Sequence, residues 1–143
     1  MEESRRLARA LHVDQTTFVY PRNEEAYRDL LPSLGFSAYT VEQKQPISLN
    51  DPLDTPVWEK GLLRVPRHLY LARWRTADQM KVGARMLVAK RYGFCHLWFH
   101  DWNLESEATL NATRRLLIWA RRLGYTFCTV SDLVRLLPEQ KPP

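Results

Sequence analysis

The sequence predicts an α/β protein in which parallel strands alternate with helices that pack on their outer side. Three observations support this fold class. β-rich runs alternate with segments of helical periodicity, most turns between them are short, and 45% of the 143 residues are apolar. Alternation of this kind is typical of parallel strands joined by right-handed crossovers. The length favours one domain, and the apolar content is sufficient for a packed core.

The first part of the chain predicts two helices and two strands. The β-rich run at residues 17–20 ends at Pro21, which has no amide hydrogen to donate to a neighbouring strand. Asn23 is a good N-cap for a helix that continues to Leu34 and that Gly35 closes. The predicted elements are, in order, a helix at 4–11, a strand at 17–20, a helix at 23–34 and a strand at 36–41.

The middle of the chain is irregular. Residues 43–60 contain three prolines together with several Asn and Asp residues. A loop of this length in a compact domain is usually functional or disordered. Residues 61–71 are apolar, but Pro66 interrupts them, which predicts an edge strand or an extended segment.

The last part of the chain predicts three helices and two strands. Thr76 and Ser131 are predicted helix N-caps, and Gly93 and Gly124 are predicted helix ends. The elements are a helix at 76–92, the strongest strand at 94–99, and then a helix at 106–123, a strand at 125–130 and a helix at 131–137. The chain thus has four or five strands, whereas the common closed α/β barrel has eight. Both a partial barrel and a small open sheet fit this count.

The chain is basic, with 21 Lys and Arg residues against 16 Asp and Glu residues. A nucleic-acid-binding domain is therefore one interpretation. The basic residues are dispersed through helices that also carry acidic residues, and no helix-turn-helix, zinc-finger or RNA-recognition motif is present. This favours a solvated cationic surface, and an anionic glycan or a phosphorylated carrier would also suit the charge.

The two cysteines and the N-terminus limit the class of protein further. Cys95 and Cys128 lie in predicted strands and are expected to be buried, inert thiols. No Cys-x-x-Cys pattern occurs, which excludes a zinc ribbon. No apolar run approaches the length of a membrane span, and none follows Met1 as a secretory signal would require. If Met1 is the true start, the sequence predicts a cytoplasmic protein.

Two strand ends carry polar residues that could form a site, because ligands bind at the carboxyl ends of parallel strands. Residues 21–23 follow the first strand, and His100 follows the strongest one. His100 is a candidate general acid or base, since imidazole titrates near neutral pH. His96 is four residues away, so on a strand the two side chains would be about 13 Å apart, too far to share a metal ion. His12 and His68 are predicted to be surface residues.

The end of the sequence resembles the polysaccharide deacetylase family of carbohydrate esterases. Leu97 and His100 match the family's Leu-x-x-His motif, and residues 124–129 match the Gly-Tyr-x-Phe-x-Thr run that follows a helix. Residues 17–23 are similar to a branch whose middle motif reads Phe-Pro-Arg-Asn. The similarity covers most of residues 15–137, and it is the order and spacing of the motifs that makes it specific.

The resemblance implies a fold, an activity and site residues. The fold would be a partial (β/α) barrel, and the activity the hydrolysis of N- or O-acetyl groups on a glycan or a lipid-linked saccharide. The resemblance also implies a divalent metal, with zinc expected, that would activate water. The implied catalytic residues are His100, the acid for the leaving group, and Asp101, which orients the imidazole or caps the following loop. The implied substrate-binding residues are Leu97 against the acetyl methyl, Arg22 through its amide, Asn23 and Trp102.

The sequence departs from the family at the metal site. The family's Thr-Phe-Asp-Asp and His-x-x-x-His motifs are not matched, so the metal ligands and the catalytic base have no counterpart. Residues 1–143 therefore resemble the C-terminal portion of the domain. An open barrel edge would favour association with another chain. A catalytically inactive glycan-binding module and a basic nucleic-acid-binding domain remain as alternatives.

Overall fold

The computed structural model describes residues 2–11, 15–20, 25–43, 53–71, 76–100 and 104–139. These form a mixed α/β chain with parallel strand pairs. The chain divides into two compact units, which are Met1–Glu42 with Pro56–Pro66 and Cys128–Pro143 (unit 1), and Gln43–Thr55 with Arg67–Phe127 (unit 2). The strands are β1 (Thr17–Val19), β2 (Ala38–Glu42), β3 (Val57–Glu59), β4 (Leu62–Arg67), β5 (Leu69–Tyr70) and β6 (Leu97–Trp98). The helices are α1 (Glu2–Ala10), α2 (Thr76–Ala89), α3 (Glu107–Arg122) and α4 (Val130–Leu136), with short 3₁₀ helices at Arg28–Leu30 and Lys90–Tyr92.

Unit 1 is built on a four-stranded sheet of order β1-β2-β4-β3. β1 and β2 are parallel, with Phe18 opposite Tyr39, and β3 and β4 are antiparallel. The turn between β3 and β4 consists of Lys60 and Gly61, both with positive φ, of 51° and 76°. Two residues with positive φ are the mark of a type I′ hairpin turn, whose twist matches that of the flanking strands. This turn sets the register of the antiparallel pair.

The core of unit 1 lies where β1 and β2 meet the turn that joins them. Phe18 makes edge-to-face contacts with Tyr20 and Phe36, at centroid distances of 5.0 and 5.3 Å. Tyr20 packs in the same way on Tyr39, at 5.9 Å. Such pairs add about 0.5 to 1.5 kcal/mol to the stability that area burial provides. The buried residues of this core are Tyr20, Leu31, Phe36, Tyr39, Val41 and Leu62.

Helix α4 begins with a complete capping box. The Thr129 hydroxyl accepts a hydrogen bond from the amide of Asp132, and the Asp132 carboxylate accepts one from the amide of Thr129. These bonds lower the pKa of Asp132 to about 2, with a contribution from Arg135. The N-cap is therefore Thr129, and the prediction that Ser131 caps this helix is wrong. Ser131 lies inside the helix, where its hydroxyl bonds to that of Thr16, 2.5 Å away.

Unit 2 combines the parallel pair β5-β6 with helices α2 and α3. Gly83 of α2 lies against the indole of Trp119 in α3. Tyr125 closes the same core, since its hydroxyl donates to the carbonyl of Met86 and burial raises its pKa to about 12. The core residues of unit 2 are Leu69, Leu71, Val82, Met86, Leu116 and Ala120, with Cys95, Leu97, Trp119 and Tyr125 packed against them.

The long helices of unit 2 follow the sequence prediction closely. The Ser106 hydroxyl accepts a hydrogen bond from the amide of Thr109 and caps α3 as expected. Gly93 and Gly124 have φ values of 73° and 85°, as left-handed helix ends require. The Lys90 ammonium also donates to the carbonyl of Leu123 just after α3. The predicted helices at 4–11, 76–92 and 106–123 and the strands at 17–20 and 36–41 are thus confirmed.

Other predicted elements are wrong. Within the described part of 23–34, only Arg28–Leu30 is helical, and it is 3₁₀. Tyr27 has a left-handed φ of 54° and Pro32 follows closely, so a continuous α-helix cannot form there. The run at 94–99 pairs only over Leu97–Trp98, because its partner β5 is two residues long. Residues 125–129 form no strand, since Tyr125 packs in the helical core and Thr129 caps α4.

Pro66 lies in β4, which is an inner strand of the sheet, so of the two predicted alternatives the edge strand is wrong. The position is tolerated because β3 pairs only as far as Arg64. The amide of Leu63 donates to the carbonyl of Ser37, the residue directly before β2. Successive amides of a strand alternate in direction, so the backbone nitrogen at position 66 points away from β2. On the β3 side, the pairing between β3 and β4 does not extend beyond Arg64. The missing amide hydrogen of Pro66 therefore removes no hydrogen bond between strands.

Of the strands that were predicted to alternate with helices in a parallel arrangement, the one at 17–20 and the one at 94–99 lie in different sheets. β1 belongs to the four-stranded sheet and β6 to the two-stranded one. No closed barrel is present among the described residues. No helix in the described ranges has the length and apolarity that crossing a membrane requires.

Candidate functional site

Two aromatic rings stack at the carboxyl end of the β5-β6 pair. Tyr70 and Trp98 are register partners and are the last residues of their strands. Their ring centroids are 4.2 Å apart, and the ring planes are inclined by 24°. Because register partners on neighbouring strands project to the same face of a sheet, the strand pairing itself places these rings together. The carboxyl end is also where parallel strands present ligand sites.

His100 lies against this pair. Its ring is edge-on to Tyr70 at 6.0 Å and to Trp98 at 5.7 Å, with interplanar angles close to 80°. The imidazole is half-buried. The residue that the sequence singled out as a candidate acid or base therefore has a defined orientation against two aromatic rings.

A buried cation completes the group. The Arg67 guanidinium lies 4.6 Å from the centroid of Trp98, within the range of a cation–π interaction. We refer to Arg67, Tyr70, Trp98 and His100 as the aromatic cluster. Arg67, Tyr70 and Trp98 were not predicted as site residues. The sequence offered little indication of this group, because the residues come together only when residues 69–70 pair with residues 97–98. Each of these two segments alone is a short apolar run.

The other residues that the resemblance implied are distributed differently. Leu97 is half-buried and packs against the core of unit 2. Its predicted contact with an acetyl methyl stays a prediction. Arg22, Asn23, Asp101 and Trp102 lie outside the described residues.

His68 is buried, and the prediction that it is a surface residue is wrong. It is 7% exposed, and its ring packs edge-to-face on Phe94, with centroids 5.4 Å apart. The amide of His96 donates to Nδ1 over 3.0 Å, and Nε2 lies 2.9 Å from the carbonyl oxygen of Asp54. An amide can only donate and a carbonyl can only accept, so the ring is neutral with its hydrogen on Nε2.

The environment of His68 lowers the pKa of its imidazole. Burial is the main cause, and it is opposed by the Asp54 carbonyl and the negative charge of the Asp54 side chain. Protonation would also place a hydrogen on Nδ1, where the His96 amide now donates. His68 is therefore a structural residue that joins three segments of unit 2, and an acid or base role at this position is disfavoured.

A polar triad stabilises the sheet of unit 1. Arg28 donates to the hydroxyl of Tyr39 over 2.9 Å and to the carboxylate of Glu59 over 2.8 Å, and the Tyr39 hydroxyl donates to the same carboxylate over 3.0 Å. Tyr39 is fully buried, and burial raises the pKa of its phenol. These bonds connect the first 3₁₀ helix with β2 and β3, so the triad has a clear structural role.

The two cysteines differ in environment. Cys95 is half-buried, and burial raises the pKa of its thiol to about 12, which keeps it protonated and inert. Cys128 is exposed, so the prediction that both thiols are buried is wrong for this residue. Among the described residues, no three His, Cys, Asp or Glu side chains are grouped to hold a metal ion.

Comparisons with protein-family models, with curated proteins and with solved structures found no match to this chain. The resemblance to polysaccharide deacetylases thus depends on the sequence motifs alone. Two of the residues that carry those motifs lie at or beside the aromatic cluster. His100 belongs to it, and Leu97 directly precedes Trp98 in β6.

Proposed function

We propose that the chain is the C-terminal, glycan-handling portion of a polysaccharide-deacetylase-like domain with a partial (β/α) barrel. In this proposal the aromatic cluster binds a sugar ring of a glycan or a lipid-linked saccharide. His100 donates a proton to the amine or alkoxide that leaves when an N- or O-acetyl group is hydrolysed. The observation that carries the proposal is the position of His100, edge-on to a stacked Tyr–Trp pair at the carboxyl end of two parallel strands.

The stacked pair suits a sugar because the two partners have matching surfaces. A pyranose ring presents an apolar face of C–H groups and a polar rim, and an aromatic side chain offers an apolar body with a polar tip. Tyr70 is 39% exposed and already held by Trp98. A preordered ring loses less conformational entropy when a ligand binds, which favours affinity.

The proton-donating role of His100 follows from chemistry and position. An amine or an alkoxide is a poor leaving group unless it is protonated as the bond breaks, and general acid catalysis by an imidazole supplies that proton. A sugar bound on Tyr70 would place its substituents next to the His100 ring. In the same proposal Leu97 contacts the acetyl methyl, the Arg22 amide stabilises the oxyanion, Asn23 and Trp102 contact the sugar, and Asp101 orients the imidazole.

The metal of the family has no ligand set in the described part of this chain. The two rings that lie against His100, those of Tyr70 and Trp98, do not suit a divalent cation, and no group of three His, Cys, Asp or Glu side chains that could hold one occurs among the described residues. The residues here do not fit the metal, so the contribution we derive for this chain is limited to sugar binding, orientation and proton donation.

A second candidate function is glycan binding without catalysis, and the same Tyr70–Trp98 pair supports it. Turnover of an acetylated chito-oligosaccharide separates the two functions. If the purified chain binds the sugar but shows no chelator-sensitive turnover, it is either a binding module or a part of an enzyme that needs a metal-binding partner. Turnover that appears only when the chain is expressed together with its upstream coding region would support the enzyme.

Replacing Tyr70 with alanine is expected to weaken binding of acetylated chito-oligosaccharide by roughly twofold to tenfold, the factor that the loss of one aromatic contact implies. Titration calorimetry or NMR titration measures the affinity. Tyr92→Ala is the matched control, because Tyr92 is equally exposed, at 38% against 39%, and lies in a 3₁₀ helix outside the cluster. Equal loss of affinity in both variants, or no loss in Tyr70→Ala, would contradict the proposed sugar site.

A further inference from the structure

The outer face of α3 has an unusual composition. Two rows of side chains run along it at the i, i+4, i+7 and i+11 spacing that places residues on one side of a helix. All eight are exposed, and both rows alternate arginine with other residues. The first row is Leu110, Arg114, Leu117 and Arg121, and the second is Asn111, Arg115, Ile118 and Arg122.

The opposite side of α3 is the side that packs in the protein. Leu116 and Ala120 belong to the core of unit 2, and Ala112 and Thr113 are buried beside them. The packing of α3 against the core of unit 2 therefore does not involve the leucines and the isoleucine of the outer face. These apolar side chains stay exposed to solvent.

The charge of this outer face is not balanced within the helix. Glu107, in the first turn, is the one acidic residue of α3. None of the four arginines forms an ion pair with another described residue. An ordinary solvated helix face mixes both signs in pairs at i, i+4 spacing.

More positive charge lies at the C-terminal end of α3. The Lys90 ammonium donates to the Leu123 carbonyl, which brings the 3₁₀ helix Lys90–Tyr92 to this end. Lys90 and Arg91 are both exposed. The cationic surface therefore continues beyond the four arginines.

We propose that this face of α3 binds the surface of an anionic lipid bilayer, with the helix axis parallel to the membrane plane. The arginines meet the anionic headgroups, and the exposed Leu110, Leu117 and Ile118 enter the boundary between headgroups and acyl chains. Arginine suits this position because its aliphatic stem lies along apolar surface while its guanidinium stays at the headgroups. This inference does not depend on the proposed glycan function.

The apolar residues decide between a membrane and a nucleic acid. A phosphodiester backbone is contacted by cationic and hydrogen-bonding side chains. Leucine and isoleucine between the arginines would face phosphates and gain nothing from them. At a bilayer the same side chains leave water for an apolar region, so both kinds of residue on this face contribute.

The test is binding of the 143-residue chain to vesicles of phosphatidylcholine mixed with phosphatidylglycerol, measured by co-sedimentation beside vesicles of phosphatidylcholine alone. We expect binding to the mixed vesicles only, and weaker binding at high salt. Arg114→Gln with Arg121→Gln should lower the partition coefficient by roughly fivefold per arginine. Leu117→Gln with Ile118→Gln should lower it by roughly tenfold, since both side chains would lose their apolar contact.

The matched control is Lys60→Gln with Arg135→Gln, which makes the same change in net charge on exposed residues of unit 1. It should bind like the unchanged chain, and circular dichroism should show that all variants keep their helix content. Four results would overturn the proposal. Two concern the unchanged chain, which are equal binding to vesicles of phosphatidylcholine alone and no binding to either kind of vesicle. The other two are equal losses in the arginine and control variants, and tight binding to duplex DNA that Leu117→Gln with Ile118→Gln leaves unchanged.

Discussion

Replacing His68 with alanine is expected to lower the free energy of unfolding by about 2 to 4 kcal/mol. The change removes the acceptor for the His96 amide and the donor to the Asp54 carbonyl, and it removes the ring that packs on Phe94. An unsatisfied buried polar group costs about 1 to 3 kcal/mol, and an aromatic contact about 0.5 to 1.5 kcal/mol. Urea denaturation followed by tryptophan fluorescence measures the effect.

Asp54→Asn is the control for this experiment. The bond to His68 uses the backbone carbonyl of Asp54, whose side chain is exposed. This substitution keeps the carbonyl and should change the stability by no more than about 0.5 kcal/mol. If His68→Ala proves as mild as Asp54→Asn, the ring does not join these segments as described.

The stability should also depend on pH through His68. Burial lowers the pKa of this imidazole in the folded protein, while the unfolded chain keeps the usual value of about 6.5. The unfolded state therefore binds more protons between the two pKa values, so stability is complete above about pH 6.5 and falls as the pH drops below that value. Denaturation series from pH 8 to pH 5 should show a steeper loss for the unchanged chain than for His68→Phe. Parallel curves would contradict the assignment.

If the proposed deacetylase function holds and a metal-binding portion is combined with this chain, replacing His100 with alanine should reduce kcat for deacetylation by about 10² to 10⁴-fold. This is the contribution of a positioned general acid. The metal content should stay the same, because the proposed ligands belong to the other portion, and metal analysis of the purified variant measures this directly. Sugar affinity should change little, since Tyr70 and Trp98 remain in place.

His96→Ala is the internal control for that substitution. His96 precedes β6, and its backbone, through the amide and carbonyl, makes the bonds to His68 and Leu69. Its replacement should therefore leave kcat close to that of the unchanged enzyme. A larger loss in His96→Ala than in His100→Ala, or loss of metal in His100→Ala, would reverse the assigned roles.

Some features of the fold could be predicted because they depend on neighbours in the chain. The helix at 106–123 has a serine N-cap, a helical apolar period and a glycine at its end, and all three signals act within one or two turns. The α2 region ends at Gly93 for the same reason. The strands that begin near Thr17 and Ala38 are short runs of β-branched and aromatic residues, and their type was correct.

Features that depend on distant partners were predicted poorly. The run at 94–99 looked like the strongest strand, yet its length in the sheet is limited by β5. Residues 125–129 have a strand-forming composition but form no strand. Tyr125 instead donates a hydrogen bond to Met86, and Thr129 caps helix α4. Local propensity is weak compared with burial and hydrogen bonding to remote segments.

For the candidate site, His100 could be recognised from the sequence as a residue with suitable chemistry, and so could the arginine-rich composition of α3. The neighbours of His100 were set by the tertiary structure, since Tyr70 lies against it only because β5 pairs with β6, and Arg67 joins the cluster through its contact with Trp98. It also decided that His68 is buried and bonded on both ring nitrogens. The chemical type of a side chain can be read directly from the sequence. Its burial and its contacts depend on segments that are far apart along the chain and that come together only when the sheet forms.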